Sequence, residues 1–303
     1  MSRQTKSYLM ARFREMGIAP ATRHGQNFLI DLNLHEVIVN AAQLDARDVV
    51  LEIGTGTGAL TELIAQRAGA VITVEIDAHL FELASETLIA YPHVTMLQCD
   101  ALKNKNRFNP AVLDAVAARL AEAPDRRLKL VANLPYNVAT PVLSNLLQVD
   151  PPPHTMVATI QLELAQRIVA QPWSKDYSAL SAWMQCQADV DIVREMAPSV
   201  FWPAPKVQSA IVRIVVDPQR RAAVPDLSYF HQFTKAIFLP RRKFLRANIV
   251  SALKGTLDKA AVDEVIAEMG FADDARTEQL DVPTLLRLAE AVRRRAPLWT
   301  MSG

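Results

Sequence analysis

LEIGTGTGALTEL, residues 51–63, decides the fold. An apolar run (VVLEI, 49–53) with strand character leads into three glycines at alternate positions. Behind them ALTELIAQRA (59–68) carries the apolar spacing of a helix. Gly54, Gly56 and Gly58 can adopt backbone conformations closed to other residues and let a ligand approach the main chain. The helix start offers N–H groups with no partner inside the helix. The spacing is G-x-G-x-G and not G-x-G-x-x-G, so a pyrophosphate is the less favoured ligand.

The same alternation extends outward. VITVEI (71–76) precedes HLFELASETL (79–88), again with helical spacing. VTMLQ (94–98), LKLVA (128–132) and MVATIQL (156–162) continue the strands, with helical segments around 111–120 and 139–148. Strands alternating with helices of this length imply βαβ units and a parallel sheet covered on both faces. ADVDIVREM (188–196) and VQSAIVRIVV (207–216) are joined by a Pro-rich connection, which suggests an antiparallel pair at one side of the sheet. After Asp217-Pro218 the strand patterns stop, and segments near 226–239, 243–254, 259–269 and 282–295 read as helices. The expected architecture is an α/β domain over 25–217, an N-terminal extension over 1–24 and a smaller all-helical domain over 218–303.

Bulk composition narrows the class. Of 303 residues half are hydrophobic and about a fifth charged, ordinary for a globular protein, and the formal net charge is +1. The charge is unevenly spread: Lys206 to Arg246 holds nine basic residues against Asp217 and Asp226. Cys99 and Cys186 form no CxxC pair, so neither a disulfide framework nor a zinc site is expected, as in a reducing compartment. The N-terminus lacks the apolar core of a signal peptide, and no apolar run is long enough to span a membrane. The expectation is a cytoplasmic protein without metal or membrane.

In open α/β sheets ligands lie outside the carboxyl ends of the strands. Glu75 ends the second strand, where a carboxylate can accept ribose hydroxyls, and Asp100 follows the third, placed to accept an adenine amino group. Singly, each could be a solvated strand end or a helix N-cap. Three such features at successive strand ends point to a nucleoside cofactor.

NLPYNVATP (133–141) follows the fourth strand. The Asn133 side-chain carbonyl and the Leu134 main-chain carbonyl can accept at one point. Pro135 fixes the backbone and adds no competing donor, and Tyr136 supplies a ring for base stacking. The pattern suits an exocyclic adenine amine, whose lone pair is delocalised into the ring. Two acceptors on its N–H bonds favour a tetrahedral nitrogen and stabilise the positive charge that develops as a methyl arrives in line. The bland alternative is a strand-to-helix turn, where Asn and Pro are common.

In these motifs the chain resembles the ribosomal RNA adenine N6-dimethyltransferases, the KsgA/RsmA-like group. The likeness runs from about Gly25 to Leu288 and includes GQNFLID (25–31), LEIGTGTGALT (51–61), VEID (74–77) and QCDAL (98–102). It continues through NLPYNVATP, SKDYSALS (174–181), FWPAPKVQSAIVR (201–213) and RRKFLR (241–246). The resemblance implies a Rossmann-like class I methyltransferase sheet using S-adenosylmethionine. It implies dimethylation of two adjacent adenosines near the 3′ end of small-subunit rRNA, by a monomer acting on an immature small subunit. A large-subunit rRNA methyltransferase of the macrolide-resistance kind and a non-catalytic assembly factor are the alternatives.

By the same resemblance Asn27, Leu29, Gly54, Gly56, Glu75, Asp100 and Asn133 bind the cofactor. Asn133, Leu134, Pro135 and Tyr136 act on the target base, with Phe28 and Phe201 as walls beside Tyr136; core packing is the alternative for both phenylalanines. Arg241, Arg242, Lys243 and Arg246 are the expected RNA contacts. Some positions depart from the family pattern. The glycine motif has Thr55 where the family has proline, which implies a less rigid turn. Leu162 stands at a usual lysine, Ser178 at a usual glycine, and Ala247 at a frequent asparagine.

Overall fold

The computed structural model describes residues 6–17, 26–240 and 243–300. Its strands are β1 (Phe28–Leu29), β2 (Asp48–Ile53), β3 (Ala70–Glu75), β4 (Val94–Gln98), β5 (Leu102–Asn104) and β6 (Arg107–Phe108). They continue with β7 (Arg127–Asn133), β8 (Thr155–Gln161), β9 (Ala188–Met196), β10 (Phe201–Trp202) and β11 (Ser209–Val216). Seven of them form one sheet in the order β4-β3-β2-β7-β8-β11-β9. The first five of that order run parallel, and β11 joins β8 antiparallel. The mostly parallel α/β sheet expected from the strand–helix alternation is therefore present, antiparallel strand included.

Val50, Val71, Val131 and Val157 pack into one core with Leu34, Ile38 and Val39 of α2 (Leu32–Ala42) and Leu60 and Ile64 of α3 (Ala59–Ala65). Leu51, Ile72 and Leu130, one step along their strands, are just as fully buried. Both faces of the sheet are thus covered, as parallel strands require. The helices start where side chains cap them. Asp31 accepts the Asn33 N–H at the start of α2, and Asp77 accepts those of His79 and Leu80 at the start of α4 (Ala78–Leu88).

LKLVA is less apolar than its neighbours because Lys129 lies in the middle of β7, and only 2% of its surface is exposed. Its ammonium donates to the carbonyls of Ala42 and Gln43 at the end of α2 and pairs with Asp48 at 2.9 Å. Asp48, fully buried, also pairs with Arg127 at 2.7 Å.

The chain divides into two compact units. One comprises residues up to Ala165 with Asp191–Val215, and the other Gln166–Val190 with everything from Val216 onward. The excursion of 166–190 into the helical unit differs from the expected layout. Its cause is aromatic packing: Trp183 of α5 (Ala179–Gln185) is fully buried and stacks on His231 at 4.3 Å, and Tyr177 meets Phe238 edge-on at 5.8 Å. Ser178, at the usual glycine position, is extended (φ −155°, ψ 176°), a conformation open to any residue. Within this unit the helices Leu227–Phe238, Leu245–Ala252, Lys259–Glu268 and Val282–Arg295 match the expected helical segments.

Candidate active site

β2, β3 and β7 lie side by side, so their carboxyl ends share one edge of the sheet, and a cleft of about 390 Å³ opens there. Asn27, Phe28, Leu29, Gly54 and Gly56 line it from the N-terminal segment and the glycine turn. Glu75, Asp100 and the run Asn133–Tyr136 line it from the strand ends.

The glycines adopt the left-handed conformations expected of them, with φ of +86°, +56° and +79° at Gly54, Gly56 and Gly58. A Cβ on Gly54 would lie 3.3 Å from Pro135, and one on Gly56 would lie 3.4 Å from Phe28. The glycine turn therefore lies close to the Asn133–Tyr136 turn and to Phe28, where the two glycines carry no side chain.

Glu75 is buried, and each oxygen takes a backbone donor: Oε2 from Gly56 and Oε1 from Asp77, both at 2.9 Å. Burial raises its pKa above the usual carboxylate value. Asp100 accepts the Leu102 N–H through Oδ1 at 2.9 Å, which leaves Oδ2 as a second acceptor. Asn133 donates through Nδ2 to the Asn27 carbonyl at 3.0 Å. That bond fixes the amide's orientation and makes Oδ1 its acceptor. Tyr136 is anchored by a 2.5 Å bond between its hydroxyl and that of Ser209, a fully buried residue of β11. The tyrosine ring is thus held at its far end while its body lines the cleft.

Phe201 does not line the cleft; it is 3% exposed and lies in the core with Ile38 and Val39. The reason is register. In the antiparallel pair of β1 and β10, Leu29 sits opposite Phe201 and Phe28 opposite Trp202. Successive residues point to opposite sides, so Leu29 and Phe201 turn inward together. Phe28 instead packs with Trp202 at 6.3 Å and edge-on with Phe13 at 5.3 Å, the latter from α1 (Lys6–Glu15).

The charge of the basic window is partly neutralised by carboxylates alongside it. Arg213 pairs with Asp191, and Arg220 with Asp189. Arg246 is paired with Asp263 through Nε and Nη2, the latter at 2.8 Å, so its charge is partly offset. Lys243 is exposed, while Arg241 and Arg242 lie outside the described residues.

Residues with no role assigned from sequence also line the cleft. His35 is a lone histidine on the buried face of α2, and burial lowers its pKa to about 4, so it stands in the wall as neutral imidazole. Thr55 and Thr57 occupy the positions between the glycines, and Cys99 precedes Asp100. Glu52 is 1% exposed; its Oε2 accepts the hydroxyls of Thr61 and Thr73 at 2.6 Å each. Thr73 in turn bonds Thr55 at 2.6 Å. The spacing of Glu52, Thr61 and Thr73 carries no signal in the sequence, because they meet only once β2, β3 and α3 pack. Among the described residues no group of three or more His, Cys, Asp or Glu side chains is placed to hold a metal ion. No described helix is long and apolar enough to cross a membrane.

Burial raises the Glu52 pKa to about 8. The native protein keeps that proton up to about pH 8, whereas the unfolded chain releases it near 4.5. The stability conferred by the neutral carboxyl is therefore full below about pH 4.5 and is lost as pH rises to about 8. His35 and His231, both lowered to about 4, act in the opposite sense below 6.5. Between pH 6.5 and 8 Glu52 acts without them. Thermal melts across that window should show the wild type losing up to a few kcal/mol more than Glu52→Gln. Parallel pH profiles for the two proteins would contradict a neutral Glu52.

The model of the family described as ribosomal RNA adenine dimethylase matches residues 20–289. The Ribosomal RNA small subunit methyltransferase A of Shouchella clausii is 38% identical over 268 residues, 88% of each chain. That of Halothermothrix orenii is 36% identical over 270 residues, 88% of this chain and 86% of the relative. Among solved structures, a dimethyladenosine transferase from Plasmodium falciparum superposes with TM-score 0.72 at 23% identity, covering 88% of this chain and 97% of that one. The 23S rRNA methyltransferase ErmE superposes with TM-score 0.62 at 24% identity, over 88% and 99% of the two chains. The structural likenesses establish the methyltransferase fold, the sequence matches go further, and the chain belongs to the ribosomal RNA adenine dimethylase family.

Proposed function

We propose that this protein transfers methyl groups from S-adenosylmethionine to N6 of two adjacent adenosines near the 3′ end of small-subunit rRNA. It acts as a cytoplasmic monomer on an immature small subunit. The observation that carries the reading is one cleft lined by the glycine turn, Glu75, Asp100 and the run Asn133–Tyr136. The glycine turn, Glu75 and Asp100 offer a nucleoside cradle, and Asn133 Oδ1 and the Leu134 carbonyl are acceptors at its rim. The relatives 36–38% identical to it are named for the small subunit, which favours that substrate over large-subunit rRNA.

When bound, S-adenosylmethionine supplies an electrophilic methyl on its sulfonium. Glu75 accepts the ribose hydroxyls beside its two backbone donors, and Asp100 Oδ2 accepts the adenine amine. The close packing of Gly54 against Pro135 brings the cradle next to the base-binding turn. There Asn133 and Leu134 accept the two N6 hydrogens of the target, while Tyr136, pinned by Ser209, supports the flipped base. Phosphate contacts come from the 241–246 segment and add salt-sensitive affinity.

Titration with S-adenosylhomocysteine tests the cofactor half. The wild type should bind in the micromolar range typical of such cofactor sites, about −8 kcal/mol. Glu75→Ala should weaken binding at least tenfold, because a carboxylate acceptor of two hydroxyls is lost. Equal affinity of the two proteins would contradict the role given to Glu75.

A further inference from the structure

Thr55 sits between Gly54 and Gly56 in the glycine turn. Its side chain is 4% exposed, and its hydroxyl lies 2.6 Å from that of Thr73. The Thr73 hydroxyl donates its one proton to Glu52 Oε2, so Thr55 is the donor in the bond they share. Thr61 donates to the same carboxyl oxygen from α3. Hydroxyls from β3 and from α3 therefore meet on one carboxyl group of β2, and the turn is linked to it through Thr73; Thr61 and Thr73 are fully buried. The backbone adds three more ties. The N–H groups of Gly54 and Thr55 donate to the Val74 carbonyl at 2.8 and 3.3 Å, and that of Gly56 donates to Glu75. The second residue of the turn is thus bonded through both backbone and side chain.

We infer that Thr55 is a positioning residue for the cofactor, acting through the hydroxyl chain Thr55–Thr73–Glu52 that sets the glycine turn. The inference rests on the S-adenosylmethionine reading of the cleft. A buried polar chain with every hydroxyl bonded specifies one geometry, and removing one member leaves its neighbour short of a partner. Here the neighbour lies directly under the turn that cradles the ligand.

The test is a double-mutant cycle on the full chain, read by titration with S-adenosylhomocysteine and by methyl-transfer kinetics. Thr55→Val keeps shape and burial but removes the hydroxyl. Its Kd and its KM for S-adenosylmethionine should rise about fivefold, the equivalent of one hydrogen bond, with kcat at saturating cofactor within about twofold of wild type. Thr55→Ser should restore the wild-type values. Thr73→Val removes the same bond from its other end, so Thr55→Val combined with Thr73→Val should bind no more weakly than Thr73→Val alone.

Unchanged affinity of Thr55→Val would overturn the inference, and so would additive effects in the double variant. A lowered Tm with unchanged Kd would also overturn it, by reducing Thr55 to a packing residue. If the wild type itself binds no S-adenosylhomocysteine, the cofactor reading fails first and this inference with it, an outcome distinct from the others.

Discussion

Asn133→Ala is expected to lower single-turnover methyl transfer by about 100- to 1,000-fold, the usual cost of deleting one preorganised group aimed at developing charge. The orientation of the Asn133 amide is fixed. Nδ2 donates to the Asn27 carbonyl at 3.0 Å, so the amide cannot rotate freely and Oδ1 is preset as acceptor. That arrangement contributes most when the target nitrogen turns tetrahedral and gains positive charge, so the loss falls on kcat more than on KM. Asn133→Asp supplies two acceptor oxygens and still should not rescue activity. A carboxylate has no proton for the Asn27 carbonyl and is repelled by it, so the side chain is driven off its site. The substituted residue is at the tip of β7 and only half-buried, so the melting temperature should stay close to wild type. Rapid-quench kinetics at saturating S-adenosylmethionine checks the prediction. An aspartate variant as active as wild type would show that acceptor capacity suffices without the Asn27 bond.

Lys129→Met is expected to destabilise the protein by about 3 kcal/mol, the lower end of the cost of breaking a buried ion pair. Methionine fills a similar volume, so little of the loss comes from a cavity. What remains is a fully buried Asp48 carboxylate that has lost one of its two cations, and two carbonyls at the end of α2 that have lost a donor. Asp48 keeps Arg127 and the Asp45 N–H, which is why the figure does not rise further. Adding Asp48→Asn should recover part of the loss, since the uncompensated charge is then removed. Chemical denaturation of the three proteins measures this. A double variant less stable than Lys129→Met alone would show that Asp48 is not the source of the cost.

The parts of this molecule legible in sequence are those set by local pattern. VVLEI, VITVEI and LKLVA announce buried strands, and parallel strands bring their carboxyl ends to one edge. The pattern alone therefore brings Glu75, Asp100 and Asn133 to that edge. Features made by packing between distant segments were not legible. β1 and β10 have two residues each, too short for any periodicity, yet their register sends Phe28 to the cleft and Phe201 to the core. α1 follows the same logic: Leu9 and Phe13 are buried against Phe28, Leu80 and Leu83, behind the cleft wall, although nothing in the N-terminal sequence names that partner. Residues 166–190 join the helical unit through Trp183 and Tyr177, whose stacking partners lie about fifty to sixty positions further along. Charge counting over 206–246 overstated the surface charge because it could not see Asp189, Asp191 and Asp263 coming alongside.

The central claim, an adenine N6 methyltransferase of the small subunit, is tested most directly by identifying its product. Immature small subunits lacking the modification, protein-free small-subunit rRNA and large-subunit rRNA would each be incubated with the protein and labelled S-adenosylmethionine. Nucleoside digestion and mass spectrometry then locate the label. The account predicts N6,N6-dimethyladenosine at two adjacent positions near the 3′ end of the small-subunit rRNA, formed mainly on the immature subunit. Label on large-subunit rRNA, or tight subunit binding with no methyl transferred, would contradict it.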